Sequence, residues 1–442
     1  MDDTIFALAS GRGRAGVAVL RVSGPGAGAA LRALTGGEPP PPRRAALREL
    51  RDPKSGEVLD RGLVLWFPAP RSYTGEDVAE LHVHAGPAVV GGIAEALSRL
   101  ASARPAEPGE FTRRAFLNGK MDLTAAEGVA DLVAAETAAQ RRQALRQLDG
   151  ALGRLYEGWR ARLVAGLARL EAAIDFPEED LPEGLVAGAR GAAWELEGEI
   201  RAHLADGARG ERLREGVSIA IVGPPNVGKS TLLNRLAQRD AAIVSPVAGT
   251  TRDVIDIDID VGGLPVRIAD TAGLRRSEDA IEAEGVRRAR RRAEGADFKI
   301  VVLDAMQWPD AGTAGAEIDA GAVVLVNKID LRAVGGAPAI AGQKAWPVSL
   351  ATGEGFEAAH AAIAARVREL ADAGPAPALT RARHRAALEA CAGALERAGK
   401  ADQAELVAED LRLAARALGR ITGAVDAEEL LDAIFREFCI GK

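Results

Sequence analysis

The residues best equipped for chemistry lie together in Gly223-Pro224-Pro225-Asn226-Val227-Gly228-Lys229-Ser230, followed by Thr231. Glycines allow successive backbone N–H groups to turn inward around phosphate oxygens. The Lys229 ammonium supplies positive charge at the β and γ positions, and the Ser230 hydroxyl suits a Mg²⁺ ion. This is the Walker A pattern, which carries meaning only where a strand feeds the loop and a helix leaves it. The β-branched run Val217 to Val222 predicts the strand, and Thr231 to Gln238 predicts the helix. Without a ligand, Lys229 would stand at a helix N-terminus, where the macrodipole disfavours a cation.

The chain that must hold this loop has 442 residues, enough for roughly three domains with their own cores. Its 56 Lys and Arg against 63 Asp and Glu give a net charge of -7, so any RNA contact has to come from a local patch. The two cysteines, Cys391 and Cys439, provide neither a disulfide framework nor a zinc spacing, which points to a reducing compartment. Met1-Asp2-Asp3 lacks the features of a secretory signal, and no apolar run is long enough to span a bilayer. The expectation is a soluble, cytoplasmic protein with no membrane partner.

Residues 1–118 mix short apolar runs (Gly16 to Val22, Gly62 to Phe67, Val78 to Val83) with Gly and Pro, and predict a small α+β domain. From Thr124 the texture changes. Leu145, Leu148, Leu152, Leu155, Trp159, Leu163, Leu167, Leu170 and Ile174 recur every three or four residues and predict one stripe of a long helix stopped by Pro177. Helical texture continues to about Leu213 and returns from Ala387 to Phe438, after Gly374-Pro375-Ala376-Pro377. The predicted fold class is therefore multidomain, α/β plus α. A discontinuous helical domain (119–213 and 374–442) carries an inserted α/β domain (214–373), because helices before and after the insert need each other to bury their stripes. Three domains in series is the alternative.

Within the insert, Gly249-Thr250-Thr251-Arg252-Asp253, Asp270-Thr271-Ala272-Gly273 and Asn327-Lys328-Ile329-Asp330 follow in an order that resembles the translation-factor-like, Ras-like P-loop GTPases. The resemblance implies that Thr251 closes over Mg²⁺ and the γ-phosphate, that Asp270 holds Mg²⁺ through water, and that the third segment reads the base. A carboxylate can accept hydrogen bonds from guanine N1 and N2, which adenine does not offer, so Asp330 discriminates and Asn327 and Lys328 buttress it. Ser349-Leu350-Ala351 takes the place of a further base loop, departing from the commoner Ser-Ala-Lys wording. Backbone N–H groups do most of that work, so the change is expected to be tolerated. Leu274 stands where Ras-like enzymes have a water-orienting glutamine, and leucine cannot orient water. Another polar group must act, and a second cation can share the transition-state charge. Asn226, Ser245, Val247 and Thr250 are where such an ion, K⁺ by preference, would bridge the phosphates.

The flanking segments resemble the MnmE (TrmE) family of tRNA-modification GTPases along essentially the whole chain. The resemblance is carried by Val19-Leu20-Arg21-Val22-Ser23-Gly24-Pro25, Ser72-Tyr73-Thr74-Gly75-Glu76-Asp77, the run Pro108 to Leu123, and the final Phe438-Cys439-Ile440-Gly441-Lys442. It implies an N-terminal folate-binding domain through which a homodimer forms, with a 5-formyl-tetrahydrofolate-like cofactor contacted by Arg21, Glu80, Lys120 and Lys442. It implies that Glu282 is the general base or water-orienting group, that GTP/GDP binds with Mg²⁺ and K⁺, and that two nucleotide domains pair during catalysis. The implied partners are tRNA and a flavin-dependent MnmG-like protein in a heterotetramer. The implied chemistry adds a (carboxymethyl)aminomethyl group at C5 of the wobble uridine.

Cys439 is open to two readings, a thiolate nucleophile toward uridine C6 or a bystander near the chain end. The run Arg287 to Arg292 reads as a solvated face before it reads as an RNA contact. His82 and His84 alternate on a predicted strand and, without a third ligand, make a poor metal site. A ribosome-assembly switch that binds rRNA is the competing function, and it has no need of the N-terminal segments or the terminal Cys-Ile-Gly-Lys.

Overall fold

The computed structural model describes residues 3–11, 13–101, 103–175, 184–240, 256–269, 295–372, 374, 376–425, 428–436 and 438–441. Two units alternate along the chain: Met1–Val133, Arg146–Leu181 and Ala408–Lys442 form one, and Ala134–Leu145 with Pro182–Val407 form the other.

In the first unit, strands β1 (Thr4–Leu8), β2 (Ala18–Ser23), β3 (Ala46–Arg51), β4 (Val58–Phe67), β5 (Val78–Val83) and β6 (Ala103–Pro105) form one sheet in the order β3-β4-β5-β2-β1-β6. Only the β1–β6 pairing is parallel. Alternation decides its faces. Leu20 and Val22 of β2, and Ala79, Leu81 and Val83 of β5, are buried beneath α1 (Ala27–Thr35) and α2 (Pro87–Ser98), which contribute Leu31, Leu34, Ile93 and Leu97. Each large apolar side chain so covered stabilises the unit by about 1.5–3 kcal/mol. Arg21, Glu80 and His82 point to the opposite face and remain partly exposed. Gly109 begins α3 (Glu110–Leu117) with φ +69°, and a Cβ there would stand 2.6 Å from the Phe435 carbonyl.

Helices α4 (Leu123–Ala134), α5 (Ala138–Leu148), α6 (Ala151–Asp175) and α7 (Leu185–Glu215) follow. The apolar stripe expected to be one helix is broken between α5 and α6. Gly150 takes φ +77°, which ends a right-handed helix, so Leu145 stays exposed while Leu152, Tyr156, Trp159, Leu163 and Leu170 are buried on α6. Pro177 lies outside the described residues.

The second unit is built on β7 (Val217–Val222), which runs through Gly223–Gly228 into α8 (Lys229–Arg239). Strands β8 (Asp256–Val261) and β9 (Leu264–Ala269) are a hairpin turned by Gly262 and Gly263, both at positive φ. With β10 (Phe298–Asp304), β11 (Val323–Asn327), β12 (Ala339–Ile340) and β13 (Gln343–Val348) they give the order β12-β13-β11-β10-β7-β9-β8. All pairings between β9 and β13 across the centre are parallel. Parallel strands are buried on both faces and read as continuous apolar runs. Ile300, Val301, Val302 and Leu303 of β10 accordingly have no more than 2% exposure. α8 and α9 (Phe356–Ala371) cover one face with Leu232, Leu236, Ile363 and Val367.

The helical texture after residue 374 resolves into α10 (Ala382–Lys400), α11 (Ala404–Thr422) and α12 (Glu428–Arg436). α10 packs on α7 in the second unit, where a Cβ on Gly210 would meet the Leu379 carbonyl at 2.1 Å and Arg385 pairs with Glu211 at 2.7 Å. In the first unit, Leu431, Ile434 and Phe435 of α12, with Phe438, bury against Leu123, Ala126 and Val129 of α4. Among the described residues, no helix is long and apolar enough to cross a membrane.

Candidate functional site

The loop from β7 to α8 is shaped by positions that exclude side chains. Gly223 has φ +147° and its Cβ would come within 2.2 Å of the Val302 carbonyl; Gly228 has φ +106° and would press its Cβ to 2.4 Å from Asn327 Nδ2. Asn226 also lies at positive φ, 62°. Lys229 Nζ donates to the carbonyls of Gly223 and Pro224, each at 2.8 Å, so the ammonium lies across the cradle. Ser230 and Thr231 are exposed on the first turn of α8, while Val227 is buried beneath the loop. The first N–H groups of an eleven-residue helix and the loop amides present positive partial charge together, which is the electrostatic requirement for a polyphosphate.

The neighbouring strand ends carry the residues expected to read the base. Asn327 closes β11, is 5% exposed, and joins two loops: its Nδ2 donates to Val227 O at 2.7 Å, and its Oδ1 accepts from Leu350 N at 2.9 Å. Lys328 takes φ +70° and sends Nζ to Asp304 Oδ2 at 2.6 Å. Burial pushes the Asp304 carboxyl up, but Lys328 and the Met306 N–H more than offset it and hold it below its ordinary value. Asp330 is exposed, and its carboxylate has no hydrogen-bond or ion-pair partner among the described residues. Ser349 is fully buried and shapes the last loop: its N–H donates to Glu354 O at 2.8 Å, its carbonyl accepts from Gly353 N at 2.8 Å, and its Oγ accepts from Thr352 N at 3.2 Å. Arg235 of α8 donates to the carbonyls of Leu350 and Ala351. Neither Arg235 nor Asp304 stood out in the sequence. No local spacing marks them, because their partners lie 115 and 24 positions away.

Ser245, Val247, Thr250, Thr251, Asp270, Thr271, Ala272, Gly273 and Glu282, together with Leu274 and Arg287 to Arg292, lie outside the described residues, as does Lys442. No group of three or more potential metal ligands occurs among the described residues.

In the first unit, Arg21 and Glu80 stand opposite each other on β2 and β5 and form an ion pair of 3.0 Å with side chains 15% and 19% exposed. The Arg21 guanidinium also lies 5.2 Å from the Tyr73 ring centre and 5.6 Å from that of Phe111. These two aromatic walls were not singled out as site residues. Tyr73 donates to or accepts from Thr112 Oγ1 at 2.8 Å, and burial pushes its phenol up. Glu80 Oε2 lies 3.4 Å from His82 Nε2, and His84 is drawn away to Asp60 at 2.9 Å, so the two histidines serve separate carboxylates. Lys120 Nζ donates to Pro70 O at 3.0 Å. Beside them Arg114, its side chain wholly buried, meets Asp3 at 2.8 Å, Glu110 at 3.0 Å and Glu76 at 3.2 Å.

Cys439 is exposed, and backbone contacts hold the residues beside it. Gly109 N donates to Cys439 O at 3.4 Å, Pro108 and Ile440 form an antiparallel bridge, and Gly441, at φ +99°, approaches Leu8 O so closely that a Cβ would stand 2.3 Å away.

A parallel sheet whose strand β7 runs into a glycine cradle, with an Asn-Lys-x-Asp turn two strands away at the same sheet end, is the P-loop nucleotide-binding class in its guanine-reading form. Family models agree and go further. The MnmE helical domain model matches residues 123–439, and the GTP-binding protein TrmE N-terminus model matches residues 4–120. Proteins named tRNA modification GTPase MnmE are similar over the full length: 58% identity over 445 residues in Parvibaculum lavamentivorans, with all of both chains covered, and 57% over 444 residues in Paramagnetospirillum magneticum, likewise complete. The Rhodospirillum rubrum protein of that name is 55% identical over 453 residues, covering all of this chain and 99% of its own. The chain belongs to the MnmE family of tRNA modification GTPases.

Proposed function

We propose that this chain binds and hydrolyses GTP and uses the cycle to drive modification of the wobble uridine of tRNA, with a flavin-dependent MnmG-like partner adding a (carboxymethyl)aminomethyl group at C5. The supporting observation is Asn327: one amide ties the phosphate cradle at Val227 to the base loop at Leu350, while the Asp330 carboxylate three residues on is left open. In this reading Lys229 exchanges the Gly223 and Pro224 carbonyls for phosphate oxygens, and Asp330 accepts from guanine N1 and N2. Ser230, Thr251 and Asp270 would hold Mg²⁺, which supplies charge to the β and γ oxygens; Asn226, Ser245, Val247 and Thr250 would hold K⁺. Glu282 would orient the water that attacks the γ-phosphorus as the bond to the β–γ bridging oxygen breaks. The domain division follows the same reading, with 1–118 as the folate and dimerisation domain, 119–213 with 374–442 as the helical domain, and 214–373 as the GTPase domain.

Arg21 and Glu80 fit a 5-formyl-tetrahydrofolate-like ligand by their chemistry. A carboxylate suits the pterin amide and amino donors, a guanidinium suits a tail carboxylate, and the Tyr73 and Phe111 rings flank the Arg21 side chain. Lys120 and Lys442 are the further cations proposed for it, and the homodimer is proposed to form through this domain, in the cytoplasm. Cys439 is the proposed nucleophile.

Calorimetry with GTP and ATP tests the base of the reading, together with Asp330→Asn. The amide of the variant can donate to the O2 of xanthine, so preference should pass from guanine to xanthine nucleotides. ATP held as tightly as GTP by the parent protein would refute it. Turnover in K⁺ against Na⁺, and retention of a reduced folate by the parent but not by Arg21→Ala, test the ion and the cofactor separately.

A further inference from the structure

Arg235 is the seventh residue of α8, beyond the residues expected to face phosphate. Its Nε donates to Leu350 O at 2.5 Å and its Nη2 to Ala351 O at 2.9 Å, with the guanidinium 5.8 Å from the Phe356 ring centre. Those two carbonyls belong to peptide groups whose other ends are the N–H groups of Ala351 and Thr352. The Thr352 N–H is taken by Ser349 Oγ at 3.2 Å, whereas the Ala351 N–H has no acceptor among the described residues. Asn327 holds the preceding amide, Leu350 N, from the other side at 2.9 Å. A cation at a peptide carbonyl fixes the peptide plane and polarises it, which makes the N–H at its far end a stronger and better-aimed donor.

We propose that Arg235 is a specificity-determining positioning residue, which by gripping the Leu350-Ala351 peptide aims the Ala351 N–H at the exocyclic O6 of guanine. The proposal rests on the guanine reading above and divides the base between two devices. Asp330 accepts from N1 and N2, and the Arg235-held amide donates to O6. Adenine carries an amino donor at the O6 position, so the same N–H opposes it donor to donor.

The test measures affinities of the full-length protein for GDP and for 6-thioguanosine 5′-diphosphate, which keeps the N1 and N2 donors but replaces O6 by a weakly accepting sulfur. Parent, Arg235→Ala and Arg235→Lys are compared. Arg235→Ala should weaken GDP binding roughly tenfold and the thio analogue about twofold or less, with Arg235→Lys intermediate for GDP, as expected for loss of one charge-supported donor. Equal weakening of both ligands would make Arg235 a general brace of the loop and overturn the proposal; unchanged GDP affinity would overturn it as well. Failure of the parent protein to prefer GDP over ADP would instead refute the guanine reading itself, so the two failures are distinguishable.

Discussion

Removing the Asn327 side chain is the most direct way to ask whether the phosphate and base halves of the site are one object. Asn327→Ala deletes two hydrogen bonds, from Nδ2 to Val227 O at 2.7 Å and from Leu350 N to Oδ1 at 2.9 Å. Val227 and Leu350 are 2% and 1% exposed, so water does not readily replace the lost partner. A buried polar group left unsatisfied costs about 1–3 kcal/mol, and two of them give about 2–6 kcal/mol of local destabilisation if neither loop relaxes. Hydrogen exchange followed by mass spectrometry reads this at Leu350. Losing 1–3 kcal/mol there should speed exchange of its amide by roughly 5- to 150-fold, because each 1.4 kcal/mol is about a factor of ten. Nucleotide affinity should fall with it, since a loop that must be ordered on binding costs free energy that a preformed one does not. Asn327→Asp keeps the acceptor for Leu350 N and loses the donor to Val227 O, so it should preserve protection at Leu350 while weakening nucleotide binding. Unchanged exchange at Leu350 in Asn327→Ala, or full GDP affinity with that protection lost, would refute the idea that one amide couples the two loops.

Further expectations concern charge and thiols. Asp304→Asn should loosen Lys328, which sits 2.6 Å from it and is 30% exposed, and raise the Kd for GDP by roughly threefold to tenfold in a fluorescence titration. Because the Asp304 carboxyl is held below its ordinary 3.8, the pair's contribution is complete above that pH and lost only as pH falls through the lower folded value; nucleotide affinity from this source should be flat between about pH 5 and 8. Arg114→Met leaves Asp3, Glu76 and Glu110 facing one another without their buried cation, and should cost about 3–5 kcal/mol in urea unfolding of the first unit. Burial pushes Glu110 up, yet Arg104, the Glu107 N–H and Arg114 hold it below its ordinary 4.5. The parent protein should thus lose stability as pH falls below that value, and the variant should lose less. Burial pushes the Cys391 thiol up to about 12, so a maleimide at neutral pH should label Cys439 alone in the native chain, and Gly441→Ala should speed that labelling by releasing the tail from Leu8.

What the sequence revealed was whatever physics keeps local. The cradle was legible because a strand, its glycines, a lysine and a helix start fall within 23 consecutive residues, from Val217 to Arg239. Asn327 was legible as a strand end because it closes a continuous apolar run, with Asp330 three residues on, and the fold class followed from short apolar runs punctuated by Gly and Pro, helical periodicity around the insert, and the strand-loop-helix run within it. Arg235 was not, since an arginine on a helix is solvated by default and its two carbonyl partners are 115 and 116 positions away. Tyr73 and Phe111 escaped for the same reason: they meet only around Arg21. The break at Gly150 was hidden by leucines that keep helical spacing on both sides of it, so periodicity alone read through a positive φ.

The docking of the last residues on the first has a consequence for synthesis. Residues 428–441 complete the unit that includes β1, by way of Phe435 and Phe438 beside Gly109, Ile440 on Pro108 and Gly441 on Leu8. The other unit ends at Val407, so its sequence is complete before these residues are joined. β1 must therefore wait, its end uncovered, until residues 428–441 have been translated, and a chain stopped between Val407 and Phe435 would carry a finished nucleotide-binding sheet attached to an open one around β1.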